Sequence, residues 1–300
     1  MDPVELRIEV PFGSLAAKAW GPADGKRILA LHGWLDSAAT FDTLCPLLDS
    51  SLRVVALDFA GHGDSSHKAP GCHYNVLEYV IDVRRAVDYL RWDRFSIVGH
   101  SMGGTVALMF AGLFPDRVLS VVTLDVVVPT VVVDSYLPSV LGHGIVKFLK
   151  LEQLTKNPSP VYSMDDLLER LESASPGQLT DKSKKILLSR ATRPVECGFV
   201  LKRDIRAKTS RTFVLPLETQ KAIVSRYKGD MLIFRATDSA LVKQLKDLEA
   251  DFMKSYEKHC KRLEYIELQG GHYVHLNRPE LLAPAINRFL CHSAVGKARL

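Results

Sequence analysis

FSIVGHSMGGTVAL (95–108) decides how this chain is read. Phe95, Ile97 and Val98 make a short apolar run that stops at Gly99. Ser101 follows, then Gly103 and Gly104, then a helix-forming run through Leu113. A strand that becomes a helix within so few residues must turn sharply, and glycines on both sides leave room for the two elements to approach closely. The residue at the corner, Ser101, is then lifted above the strand end, with its hydroxyl exposed beside the free N–H groups of the helix start.

The pattern around this corner is an alternation of strands and helices. VELRIEV (4–10) and SLAAKAW (14–20) read as a hairpin around Phe12 and Gly13. RILAL (27–31) and LRVVAL (52–57) read as buried strands flanking a helical stretch near 40–48. Val76, Val80, Val83, Val87 and Leu90 recur at steps of four and three, the period of an amphipathic helix, and Asn75 with Glu78 three residues on predicts its N-cap. FSIV (95–98), a helix over 103–114 and VLSVVTL (118–124) complete the first half. From 130 to 215 the pattern reads as helices and loops without strands, such as 164–174 and 180–191. Alternation then resumes with MLIFRA (231–236), a helix over 241–259, LEYIEL (263–268) and a helix opened by Pro279. Eight strands mostly joined by helices predict an α/β fold, a largely parallel sheet covered on both faces, with the insertion after the sixth strand. The expected division is a core of 1–129 and 216–300 and a helical cap of 130–215.

Composition excludes several alternatives. The chain has 300 residues, 47% of them hydrophobic and 24% charged, the balance of a globular protein. The start MDPVELRIEV has neither a basic nor an apolar leader, so no signal peptide is expected. The most apolar run, 118–133, is interrupted by Asp125 and Pro129 and is too short to span a bilayer, so no transmembrane segment is expected. The five cysteines follow no metal-binding spacing and suit reduced thiols, with no metal site. The net charge is +5, and residues 130–215 carry all of it, with 14 Lys/Arg against 9 Asp/Glu. The densest part is KRDIRAKTSR (202–211), which reads as a solvated helix face or as a positive rim that steers anionic substrates. No aromatic residues interleave with it, so nucleic-acid binding is not expected.

Gly99-His100-Ser101-Met102-Gly103 fits the G-x-S-x-G turn of a nucleophilic serine, given a strand before it and a helix after it. Together with HGW (32–34), DFAGHGDSS (58–66), the aspartate of RATDSA (235–240) and GGHYVHLNRPE (270–280), it makes nearly the whole chain resemble the α/β-hydrolase family. Within that family the chain is most similar to the serine hydrolase-like proteins, a group associated with peroxisomes. The resemblance implies an eight-stranded, mostly parallel sheet with a cap over the active site. It also implies a triad with Ser101 as nucleophile and His272 as base, with nearby His275 a structural residue. For the acid, Asp238 after strand 231–236 is preferred because it gives the order Ser, Asp, His. Asp125 after strand 118–124 is the alternative, and either aspartate could instead cap a loop. The oxyanion donors are expected to be the amides of Met102 and Trp34, while Asp58 and His62 are assigned no catalytic role.

A serine at the corner, where dehalogenases and epoxide hydrolases on this fold carry aspartate, points to an acyl ester intermediate. The expected function is a carboxylic ester hydrolase acting on esters or thioesters of a small acyl substrate, with no metal or organic cofactor. The rival readings are a non-catalytic ligand-binding homologue and a cofactor-free hydrolase of carbon–carbon bonds. The cap residues Val131–Val133, Leu137, Leu141, Phe148 and Leu149 are candidates for an acyl pocket or for plain cap packing. Ala298-Arg299-Leu300 resembles a peroxisomal address, so an import receptor is an expected partner and the peroxisome, otherwise the cytoplasm, the expected location.

Overall fold

The computed structural model describes residues 2–130, 132, 134–239 and 246–291. The expected start of the helix at 241, the cap residues Val131 and Val133, and Ala298-Arg299-Leu300 lie outside the described residues.

Eight strands form one sheet in the order β1-β2-β4-β3-β5-β6-β9-β10. They are β1 (Val4–Val10), β2 (Gly13–Trp20), β3 (Lys26–Leu31), β4 (Leu52–Leu57), β5 (Phe95–His100), β6 (Val118–Leu124), β9 (Asp230–Ala236) and β10 (Arg262–Leu268). The first two pair as an antiparallel hairpin, β2 meets β4 antiparallel, and every later pairing is parallel. Each predicted strand therefore exists, in one mostly parallel eight-stranded sheet.

Period-2 alternation sends neighbouring side chains into two cores. Leu29, Leu31, Ile97, Val121 and Ile233 face one side, where α1 (Val76–Tyr89), α2 (Met102–Leu113) and α7 (Lys246–His259) cover them. Ile28, Ala30, Val98, Val122, Leu232 and Phe234 face the other, under α9 (Ala283–Cys291) and the two 3₁₀ turns that replace the helical stretch expected near 40–48. Full burial of each large apolar side chain contributes about 1.5–3 kcal/mol before entropy is counted. The Asn75 side chain accepts from the Glu78 amide and caps α1. The capping box stops there, because Glu78 itself pairs with Lys68.

Between β6 and α6 (Leu217–Val224) the insertion holds α3 (Leu137–Leu154), α4 (Met164–Ala174) and α5 (Asp181–Ala191). It also holds a two-stranded antiparallel ribbon, β7 (Thr192–Val195) with β8 (Gly198–Leu201). This ribbon corrects the expectation of no strands in 130–215; two four-residue strands, one containing Pro194, are too short to show a period-2 signal. The remaining helix, α8 (Val274–Asn277), is a single turn in the last loop.

Buried ion pairs fasten the insertion to the sheet domain. Arg190 of α5 donates to Asp58 at 2.8 Å and to both carboxylate oxygens of Glu5 at 2.7 and 3.0 Å. Arg206 forms a fork on Asp204 and also donates to the carbonyls of Lys68 and Ala69, while the Tyr74 hydroxyl donates to Asp204 at 2.9 Å. Asp58 accepts from the Ala38 and Asp64 amides as well, so it is a structural hub of the DFAGHGDSS loop.

Candidate active site

The corner after β5 is as tight as the glycines suggest. A Cβ added at Gly103 would lie 2.1 Å from the Leu31 carbonyl oxygen, and one at Gly99 would lie 2.5 Å from that of Gly103. Ser101 sits between them at φ 50°, ψ −119°, a left-handed conformation that costs a non-glycine residue on the order of 1–3 kcal/mol. Its amide donates to the Leu124 carbonyl at 3.2 Å, which ties the serine to the end of β6. The next residue along β6, Asp125, is also left-handed, at φ 55°, and its amide donates to the Phe234 carbonyl at 2.8 Å.

His272 lies in the loop after β10, where its amide donates to Gln178 Oε1 at 2.7 Å. Its Nδ1 stands 2.5 Å from Asp125 Oδ2. An ionised carboxylate only accepts, so Nδ1 carries the hydrogen and the Nε2 lone pair is left free. His100 links the base to the serine: its Nε2 donates to the His272 carbonyl at 3.0 Å, and the two rings lie 4.6 Å apart. The structure thus gathers Ser101, His272 and Asp125, residues remote in sequence, at the carboxyl ends of β5, β10 and β6.

The preferred acid is corrected. Asp238 is exposed, its amide donates to the Gly270 carbonyl at 3.0 Å and its carboxylate accepts the Thr237 hydroxyl. It makes no hydrogen bond or ion pair with His272 among the described residues. Asp125, the alternative, is buried at 1% exposure and is fully engaged. Its Oδ1 accepts from Arg235 Nη1 at 3.0 Å and from the Ala236 amide at 3.1 Å. Burial alone would raise its pKa, but the hydrogen bond and charge of His272, with the Ala236 amide, outweigh burial and hold it below the ordinary carboxylate range.

Arg235 was not singled out in the sequence. It is 3% exposed near the end of β9 and bridges Asp125 to Glu249, which accepts at 2.6 Å. A charged residue within the apolar strand MLIFRA was the available signal, because a buried guanidinium requires a facing carboxylate. Gln178, in the insertion, carried no such signal.

The HGW loop packs directly on the serine. A Cβ at Gly33 would come within 2.9 Å of His100 Nδ1 and 3.4 Å of the Ser101 side chain, so only glycine permits the approach that brings Trp34 to the site. The Trp34 ring donates through Nε1 to the Ala207 carbonyl at 3.2 Å, so the side chain is pocket wall fixed to the insertion. Met102 is the first residue of α2, where an N–H has no partner within the helix. His275 is fully buried with Nε2 on the Thr40 hydroxyl at 2.9 Å. Burial and the neighbouring His272 push its pKa down to about 3, which suits a neutral structural residue.

Two cavities lie between the sheet domain and the insertion. One of about 250 Å³ is apolar and lies along α2, lined by Thr105, Met109, Leu141 and Phe213. Of the cap residues considered for an acyl pocket, Leu141 lines it, Phe148 packs instead against His73, and Leu149 is exposed. The other cavity, of about 710 Å³, lies between Trp34, Tyr273 and the insertion.

Fold and geometry together define an α/β hydrolase, and residues 26–279 match the family model described as the alpha/beta hydrolase fold, so the chain belongs to that family. Within it, the chain is 41% identical to a serine hydrolase-like protein of Danio rerio over 95% of this chain and 88% of that one. It is 37% identical to serine hydrolase-like protein 2 of Homo sapiens over 95% and 93%. Among solved structures, a hypothetical protein from Pseudomonas aeruginosa PAO1 superposes with a TM-score of 0.83 at 31% identity, covering 97% of this chain and 99% of that one. A thioesterase domain from the curacin biosynthetic pathway superposes at 0.77 with 22% identity, covering 95% and 99%, a likeness of fold.

Proposed function

We propose that this chain is a serine hydrolase that cleaves acyl esters or thioesters through a Ser101–His272–Asp125 triad. The observation that carries the reading is the 2.5 Å contact between His272 Nδ1 and Asp125, made beside the strained serine corner. Asp125 fixes the tautomer and leaves His272 Nε2 as the base. Ser101 Oγ attacks the acyl carbon while its proton passes to Nε2, and the carbonyl electron pair moves onto oxygen. The amides of Met102 and Trp34 receive that oxyanion at the start of α2, where the helix dipole favours negative charge. Collapse breaks the bond to the leaving group, which takes the proton from Nε2. Water then repeats the sequence on the acyl-enzyme and restores Ser101. Asp125 stays ionised throughout, consistent with its lowered pKa.

A fluorophosphonate probe tests the assignment. The native protein is expected to be labelled at Ser101, and Ser101→Ala is expected to lose both the label and ester turnover. Equal labelling of the two proteins would overturn it.

A further inference from the structure

The basic run at 202–211 divides sharply into paired and unpaired cations. Lys202 holds Asp64 at 2.5 Å, and Arg206 holds Asp204. Arg203 and Arg211, close to them in sequence, form no ion pair among the described residues. Arg203 lines the 710 Å³ cavity together with Arg170, whose guanidinium lies 4.4 Å from the Tyr162 ring. Arg211, exposed, stacks its guanidinium 5.5 Å from the ring of Trp34, which lines the cavity. Burial lowers the pKa of Arg203; Tyr162 opposes that shift in part, and the nearby charge of Arg170 adds to it.

Asp166 feels the charge of Arg170, but no acidic group lining this cavity forms an ion pair with Arg203 among the described residues. Asp166 is committed to the Ser163 hydroxyl and amide at the start of α4, and Glu169 stands exposed at the rim. Asp36 is pushed up to about 7 by burial, so it carries only part of a charge at neutral pH. Arg203 is half-buried without an ion-pair partner among the described residues, whereas Arg170 and Arg211 are exposed; the planar fork of such a guanidinium matches carboxylate or phosphate oxygens. The position also assigns a side of the substrate. Tyr273 lines the cavity and follows His272, the residue that protonates the departing group. A leaving group that enters this cavity reaches Arg203, with the cavity along α2 left for the acyl chain.

We infer that the substrate carries an anionic oxygen group, a carboxylate or phosphate, on its leaving-group side, bound by Arg203 with Arg170 and Arg211. This rests on the triad reading for its direction, but its test does not depend on turnover alone. The probes are the butyryl esters of 4-hydroxybenzoate, 4-hydroxyphenyl phosphate and neutral 4-hydroxybenzamide. The native protein is expected to prefer one of the anionic esters by at least tenfold in kcat/KM, and the preferred one tells carboxylate from phosphate. Arg203→Gln is expected to reduce that preference about tenfold, mainly through KM, with Arg203→Lys intermediate and added salt weakening it. A preference unchanged by Arg203→Gln, or absent in the native protein, would overturn the inference. Calorimetric binding of the same esters to Ser101→Ala, with and without Arg203→Gln, requires no catalysis. At least a tenfold loss of affinity for the preferred anionic ester supports the subsite, and equal affinity in the two proteins overturns it. Loss of turnover in every ester, with anion binding intact, would instead count against the triad.

Discussion

β6 and β9 lie side by side, run parallel and each end in a loop that carries an aspartate. Leu124 pairs with Phe234 across the ladder, and beyond it the chain continues as a staircase. The Asp125 amide reaches the Phe234 carbonyl, and the Asp238 amide reaches that of Gly270. The backbones are treated alike, yet the side chains meet different worlds. Asp125 turns through a left-handed conformation into a buried site between Arg235 and His272. Asp238 faces solvent with only its neighbour Thr237 as partner. What separates the two aspartates is the set of partners waiting for each, which strand order alone does not supply.

The comparison breaks most directly by exchanging each carboxylate for its amide. Asp125→Asn is expected to lower ester turnover by about 10⁴-fold with little change in fold, because an amide no longer fixes the base tautomer. A loss of that size in Asp238→Asn instead would reverse the assignment. Arg235→Met is the next largest effect. It leaves buried Asp125 and half-buried Glu249 without their shared cation, and urea unfolding should show a loss on the order of 3–5 kcal/mol.

A third aspartate sharpens the rule. Asp36 is half-buried with no facing cation among the described residues, and desolvation raises its pKa to about 7 rather than lowering it. The folded protein then keeps a proton that the unfolded chain releases near pH 3.9, so its contribution to stability is complete below about pH 4 and lost as pH rises through about 7. Asp36→Asn is therefore expected to raise the Tm at pH 8 by several degrees and to leave it unchanged at pH 4. Asp238→Asn should have the smallest effect, within about threefold on turnover, because the exposed carboxylate has no role in the His272 contact.

The strands and the serine corner were legible because each leaves a local mark. Alternating apolar residues give β3, β5, β6 and β9, and glycines on both sides of Ser101 mark the corner whose backbones nearly touch. The choice of acid was not legible. Both aspartates lie between Ser101 and His272 in the chain, so order could not choose, whereas the observed contact joins Asp125 to a histidine 147 residues away. The ribbon β7–β8 was missed because four-residue strands are shorter than the pattern that reveals them. In the basic run, charge could be counted in the sequence, but pairing could not, since Lys202 and Arg206 find acids where Arg203 finds none.

The clasp formed by Arg190 with Asp58 and Glu5 also sets a limit on re-engineering. Shortening the chain from Thr130 directly to Leu215 would strip the counter-cation from a carboxylate that sits at the heart of the sheet domain. The roof therefore cannot be removed to yield a smaller, open scaffold unless Asp58 is replaced at the same time, and the covering segment and the platform beneath it should melt in a single transition.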